Sequence, residues 1–149
     1  MTSTNRPSGD HATVKAVNRA MRGAPAEADS TDRIYDPALE SCRLCPRKCG
    51  VNRNAGQKGA CGVSSDLYVA RAALHFWEEP CISGKEGSGA VFFSGCTLKC
   101  VFCQNYELSH QEVGKRVDLE RLMEIFFELE GQGANNINLV TPDHYIPLI

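Results

Sequence analysis

Three cysteines lie within eight consecutive positions, and no other feature constrains the chain as strongly: Cys96, Cys100 and Cys103. Their thiolates can converge on a metal without the entropic cost of closing a long loop. Structural zinc sites use four protein ligands, whereas three ligands leave one metal position free for a substrate or cofactor. The spacing therefore predicts an open metal site. The alternative is a helix that carries the three cysteines on one face as small buried hydrophobes.

Another group of cysteines comes earlier in the chain and is called the first cysteine group; it has the spacing C-x2-C-x3-C-x11-C: Cys42, Cys45, Cys49 and Cys61. Four thiolates complete the ligand set of a zinc ion or of a second iron–sulfur cluster, and the spacing does not decide between these metals. The alternative is four unrelated thiols. The remaining cysteine in the second half of the chain, Cys81, falls in a predicted turn. It is either a plain thiol or a neighbour of a cluster.

The segment from 41 to 65 carries five basic residues and no acidic one: Arg43, Arg47, Lys48, Arg53 and Lys58. These cations would offset the negative charge of a metal bound by thiolates. A basic segment can also indicate nucleic-acid binding, but this one has no aromatic residue to stack on bases. We therefore expect no nucleic-acid partner.

Composition decides how the cysteines are interpreted. The 149 residues are 42% hydrophobic and 23% charged, which is typical of one globular domain, and the net charge of −2 attracts neither nucleic acid nor an anionic membrane. No apolar stretch is long enough to span a membrane, and the N-terminus lacks the apolar core of a secretory signal. We expect a cytoplasmic protein without a membrane partner. In that reducing compartment, closely spaced thiols are more often metal ligands than disulfides.

The chain divides into three predicted parts. Residues 1–35 are polar and are expected to be a disordered or mobile tail, in which only His11 to Arg22 could form a short helix. Residues 36–65 are expected to form a small cysteine-rich metal knuckle, too rich in glycine for regular elements. Residues 66–149 are expected to form an α/β core, whose first strand leads into the loop of Cys96.

The predicted core has a strand–helix–strand order. Leu67–Phe76 is predicted to be a strand or a short helix, and Ala90–Phe93 a short buried strand. Helical spacing of apolar residues predicts a helix from Leu119 to Gly131 with Asp118 as its N-cap, and Asn136–Val140 then predicts another strand. This order implies a parallel pair of strands, and active groups lie at the C-terminal ends of such strands.

The pattern C-x3-C-x-aromatic-C after a first strand resembles the signature of the radical S-adenosylmethionine (SAM) superfamily. The stretches Gly87–Cys96 and Cys103–Glu107 resemble more narrowly the branch described as similar to pyruvate formate-lyase activating enzymes. Residues 41–61 also resemble the cysteine segment at the start of that branch, so the likeness covers roughly residues 41–146.

The resemblance implies the N-terminal part of a partial (βα) barrel, preceded by the cysteine-rich metal-binding segment. It further implies a 4Fe–4S cluster on Cys96, Cys100 and Cys103, with SAM chelating the fourth iron. An electron from a donor such as flavodoxin or ferredoxin would cleave SAM to methionine and a 5′-deoxyadenosyl radical. That radical would remove a hydrogen atom from an unknown substrate, and the branch name suggests a protein partner that carries a glycyl radical.

Two further positions follow from the resemblance. Phe102 matches the aromatic residue that packs near the adenine of SAM, although ordinary core packing is the alternative. Thr141 stands where many relatives have a Gly-Gly-Glu run that contacts the amino group of SAM. Only residues 97–149 follow Cys96, and a partial barrel of about six units needs several times more. We therefore expect a fragment that does not turn over alone, the alternative being a non-catalytic zinc or iron–sulfur binding fragment.

Overall fold

The structure of the protein is a computed structural model and describes residues 34–77 and 79–149. The predicted helix from His11 to Arg22 and nearly all of the predicted tail lie outside these residues. The described chain is a small mixed α/β structure built on a four-stranded sheet. The partial barrel stays a prediction.

The sheet has the strand order β3-β1-β2-β4, formed by β1 (Tyr68–His75), β2 (Ser88–Phe93), β3 (Lys115–Arg116) and β4 (Ile137–Val140). Strand β1 runs antiparallel to both β2 and β3, whereas β2 and β4 are parallel. Gly89 pairs with Ile137 and Phe92 with Val140, which confirms the predicted parallel pair. The C-terminal ends of β2 and β4 therefore meet at one edge of the sheet.

In the part of the chain that the structure describes, three α-helices accompany the sheet: α1 (Pro80–Ser83), α2 (Tyr106–His110) and α3 (Leu119–Gly131). The prediction of α3 is confirmed, and a carboxylate oxygen of Asp118 accepts a hydrogen bond from the backbone N–H of Arg121 at 2.7 Å. Leu122, Ile125 and Leu129 lie on the buried face of α3. Helices α1 and α2 and strand β3 were not predicted, because each is shorter than the window over which hydrophobic periodicity becomes visible.

One hydrophobic core joins the cysteine-rich segment to the sheet. Leu39, Cys42, Cys61 and Val63 belong to the same buried cluster as the sheet residue Phe93. The segment has almost no regular structure of its own: Pro37–Leu39 form a 3₁₀ turn, and the rest is loops and turns. Its position against the core therefore places the first cysteine group beside the end of β2. None of the helices within residues 34–77 and 79–149 has the length and hydrophobicity of a membrane-spanning segment.

Candidate metal centres

The loop that carries Cys96 begins at a firmly anchored strand end. Directly after β2, the backbone N–H of Ser94 donates to the carbonyl of Tyr68 at 3.1 Å, and its hydroxyl donates to the carbonyl of Val113. Gly95 follows with φ +80°, and a Cβ built on it would lie 2.7 Å from the Cys61 carbonyl oxygen. Both the backbone angle and the close approach require glycine at this position.

The three cysteines of the loop differ in their surroundings. Cys96 is buried, and its sulfur accepts a hydrogen bond from the backbone N–H of Leu98 at 3.4 Å. Cys100 is exposed and Cys103 half-buried, and the N–H of Cys103 donates to the carbonyl of Cys100 at 3.3 Å in a turn. The backbone from Cys96 to Cys103 is non-helical, so the alternative of a helix with buried cysteines is wrong. Cys96 is the anchored ligand candidate, and the other two lie on the open part of the loop.

Apolar side chains project from the same loop. Val101 is 86% and Phe102 90% exposed, so the alternative that Phe102 is an ordinary core residue is wrong. Leu98 is also mostly exposed. The contact of Phe102 with an adenine stays a prediction. The loop thus presents three cysteines flanked by apolar side chains that the described residues do not cover.

Thr141 lies beside the loop, at the end of β4. Its hydroxyl is within hydrogen-bond distance of the carbonyl oxygens of Gly95, at 3.3 Å, and Phe93, at 3.4 Å. Its φ of +57° is uncommon for a β-branched residue. The side chain of Thr141 therefore ties the ends of β2 and β4 together, and its predicted contact with SAM stays a prediction.

His144 supports the same strand end, a role that its isolated position in the sequence did not indicate. The ring is buried, and Nε2 lies 2.8 Å from the carbonyl oxygen of Ser94, to which it donates, while Nδ1 has no hydrogen-bond partner. Burial lowers the pKa of His144 to about 4, so the ring is neutral at pH 7. No local pattern could have indicated this role, because Ser94 lies fifty residues away in the chain.

The first cysteine group is held by backbone hydrogen bonds. The N–H of Cys42 donates to the carbonyl of Val51 at 3.0 Å, and the N–H of Gly50 donates to the carbonyl of Cys42 at 2.9 Å. Cys42 and Cys61 are buried, Cys45 is half-buried and Cys49 is exposed. The pKa of the Cys49 thiol is lowered, mainly by a hydrogen bond from the backbone of Ala60. The lower pKa favours the thiolate, which is the form that binds metal.

Arg53 is fully buried beside this group. Its guanidinium donates to the carbonyl oxygen of Ser64 at 2.7 Å and to that of His144 at 2.5 Å, and Nη1 lies 3.9 Å from the sulfur of Cys42. The guanidinium carbon also lies 5.8 Å from the centre of the Tyr145 ring. Sequence reasoning placed Arg53 among five basic residues but could not single it out.

The two cysteine groups are neighbours in space. The N–H of Cys96 donates to the carbonyl of Cys61 at 3.3 Å. Arg47, from the first group, donates to the carbonyl oxygens of Thr97 at 3.3 Å and Leu98 at 3.4 Å. The cysteine-rich segment therefore supports the loop of Cys96 through hydrogen bonds to the backbone of that loop.

Cys81 lies far from both groups. It is exposed on α1, next to Ile82, whose carbonyl oxygen accepts a hydrogen bond from the Asn136 side chain at 2.6 Å. Asn136 directly precedes β4, so α1 lies at the N-terminal ends of β2 and β4. A strand of six residues separates this end from Cys96, about 20 Å at 3.3 Å per residue. Cys81 is therefore a plain exposed thiol, and the alternative of a position near a cluster is wrong.

The donor types fit a metal centre better than the present side-chain positions do. Within residues 34–77 and 79–149, no three Cys, His, Asp or Glu side chains are arranged to hold one metal ion. The cysteine ligands of an iron–sulfur cluster are spread around several irons, and thiolates are the ligands that such clusters use. Three cysteines on one loop, two of them on its open part, match that ligand chemistry.

Comparison with known proteins separates the two groups. Residues 82–143 match the family model of the 4Fe-4S single cluster domain. The chain contains a 4Fe–4S cluster-binding domain. The cysteines within this iron–sulfur domain are Cys96, Cys100 and Cys103, whereas the first cysteine group and Cys81 lie outside it.

A curated relative extends the likeness beyond the iron–sulfur domain. The chain is 35% identical, over 93 residues, to an uncharacterised protein of Methanocaldococcus jannaschii. The aligned part is 62% of this chain and 26% of the relative, so the chain spans about a quarter of the relative's length. No solved structure matches the chain significantly.

Proposed function

We propose that this iron–sulfur protein is a radical SAM protein, in which Cys96, Cys100 and Cys103 bind one 4Fe–4S cluster and leave one iron free for SAM. The observation that carries the proposal is the ligand count. The matched domain has three cysteines, all on one loop at the C-terminal ends of the parallel strands β2 and β4. A cluster with three protein ligands keeps one coordination position for a small molecule.

The chain's own residues have distinct tasks in this proposal. The N–H of Leu98 stabilises the thiolate of Cys96, and the buried position of Cys96 fixes one corner of the cluster. The hydroxyl of Thr141 binds the carbonyl oxygens of Phe93 and Gly95 at the end of β2. Because the hydroxyl is used there, a contact of Thr141 with SAM would come from its backbone. Phe102 and Val101 supply an apolar surface for the adenine.

The cluster, when bound and reduced, would supply the electron that cleaves SAM to methionine and a 5′-deoxyadenosyl radical. A donor such as flavodoxin or ferredoxin would reduce it in the cytoplasm. The exposed side chain of Leu98, which the adenine does not use, leaves an apolar surface on the loop for a large partner as substrate. Hydrogen abstraction from a protein partner, including glycyl-radical activation, is consistent with such a surface.

A second candidate function follows from the neighbourhood of Cys61. Its carbonyl accepts a hydrogen bond from Cys96, so its sulfur could become the fourth ligand of the same cluster. That cluster would be closed, and the protein would be a non-catalytic iron–sulfur binding fragment. The two candidates differ in one ligand, Cys61.

The test is electron paramagnetic resonance (EPR) of the reduced protein after anaerobic reconstitution with iron and sulfide, recorded with and without SAM. The open site predicts a spectrum that changes with SAM in the wild type, in Cys61→Ala and in the control Cys81→Ala. Cys100→Ala should lose the SAM-responsive signal. A cluster signal that SAM does not change in the wild type but changes in Cys61→Ala would favour the closed cluster. No change in either protein would contradict the radical SAM proposal.

A further inference from the structure

Cys42, Cys45, Cys49 and Cys61 lie outside the matched iron–sulfur domain, and their segment lacks the regular structure that usually orders a chain. Apart from the 3₁₀ turn, the described part of this segment is loops and turns, yet Leu39 and Val63 are fully buried. Small segments of this kind commonly obtain their folding energy from a bound metal. We propose that these four cysteines form a second, closed metal centre, separate from the loop of Cys96.

The buried cation beside the group carries this proposal. Arg53 is fully buried, and among the described residues its guanidinium meets carbonyl oxygens, an aromatic ring and the sulfur of Cys42, but no carboxylate. A buried charge is costly unless an opposite charge lies nearby. Four thiolates around a divalent metal carry about two negative charges, which would supply that opposite charge.

The chain path brings Cys49 close to two of the other proposed ligands, Cys42 and Cys61. The hydrogen bond from Gly50 to Cys42 places Cys49 and Cys42 on adjacent backbone segments. The sulfur of Cys49 lies against Gly59, where a Cβ would come within 2.7 Å of it. Gly59 precedes Cys61 by two residues, so Cys49 also lies near the last ligand. In the proposed site, the buried Cys42 and Cys61 would form the base, and the more exposed Cys45 and Cys49 would close it when the metal binds.

Two metals fit this ligand chemistry, a zinc ion and a 4Fe–4S cluster, because four thiolates are a complete set for either. The site would be structural rather than catalytic, because no coordination position remains for a substrate. Metal binding at this site would also stabilise the loop of Cys96. Two hydrogen bonds connect them, one from the N–H of Cys96 to the carbonyl of Cys61 and one from the Arg47 side chain to the carbonyl of Thr97.

The test is metal analysis of Cys100→Ala/Cys103→Ala, which leaves the buried Cys96 in place but removes two of the three loop ligands. After purification and anaerobic reconstitution, we expect about one zinc or about four irons per folded chain, and the measured element identifies the metal. Adding Cys45→Ala should remove that metal, whereas adding Cys81→Ala should not. A folded double variant, verified by circular dichroism, that holds neither metal would overturn the proposal.

Substituting Arg53 in the otherwise unchanged protein gives an independent test. The quantity measured is the affinity for the second metal, by competition with a chelator. Arg53→Gln should weaken retention of the second metal by about 10- to 100-fold, the usual effect of removing a group next to the ligands. Arg53→Lys should lose less, because it keeps the charge. The control Arg43→Gln removes an exposed cation from the same segment and should change nothing. Equal affinity in Arg53→Gln and the wild type would overturn the role of Arg53.

Discussion

Substituting Gly95 by alanine tests the close approach between the two cysteine groups. The residue has φ +80°, where an L-residue costs about 1–2 kcal/mol more than glycine. The new Cβ would lie 2.7 Å from the Cys61 carbonyl oxygen and 2.9 Å from a methyl carbon of Val63. Val63 is fully buried and cannot move into solvent, so the overlap adds about 1–3 kcal/mol. We expect Gly95→Ala to lower the free energy of unfolding by roughly 2–5 kcal/mol.

The assay is urea unfolding followed by circular dichroism, with wild type and variants loaded with metal in the same way. Gly131→Ala is the matched control, because its Cβ would meet nothing within 4 Å at the end of α3. That control should be neutral or stabilising by up to about 1 kcal/mol. If the free energy of unfolding of Gly95→Ala lies within about 0.5 kcal/mol of the wild-type value, the carbonyl of Cys61 and the side chain of Val63 do not lie this close to Gly95.

Two other variants test the residues behind the loop. Burial lowers the pKa of His144 to about 4. Between pH 6.5 and pH 4 the unfolded chain therefore binds more protons than the folded chain. The free energy of unfolding should fall by about 2 kcal/mol from pH 7 to pH 5. Urea unfolding of His144→Gln should lack most of this pH dependence, and an unchanged dependence would assign it to other groups. Thr141→Val keeps the branched shape but loses the hydroxyl contacts to Phe93 and Gly95, so it should cost about 1 kcal/mol of unfolding free energy. Thr141→Ser should retain most of that stability, and a Val variant as stable as the wild type would refute the tie between β2 and β4.

Local sequence signals were sufficient where the element was long or capped. Helix α3 followed from its apolar spacing and from Asp118, whose side chain caps it as expected. The parallel pairing of β2 and β4 followed from the strand–helix–strand order. Strand β1 was left open between strand and helix, because a short apolar run fits both periods. Its antiparallel pairing with β2 and β3 depends on long-range contacts, which no local pattern contains.

The candidate site divides in the same way. The spacing of Cys96, Cys100 and Cys103 identified the loop, because ligands that are close in sequence need no knowledge of the fold. The supporting groups come from distant segments: Arg53 reaches His144, and His144 reaches the carbonyl of Ser94. Contacts between residues so far apart in the chain cannot be predicted from local sequence patterns.

The basic residues of the cysteine-rich segment illustrate the limit of pattern reasoning. Charge counting predicted that five cations jointly offset the thiolates. Arg53 lies at a cysteine sulfur, whereas Arg47 contacts loop carbonyls and Lys58 pairs with Glu112 at 2.9 Å. The three side chains thus have different tasks that composition cannot separate.

The central claim is that the cluster on the loop of Cys96 has one iron without a protein ligand, and Mössbauer spectroscopy tests it most directly. The protein is reconstituted with iron-57, and the spectrum of Cys100→Ala is subtracted from that of the wild type to isolate the loop cluster. We predict that SAM changes the signal of about one iron in four and leaves the other three unaltered. Four irons that all remain unaltered by SAM would contradict the account.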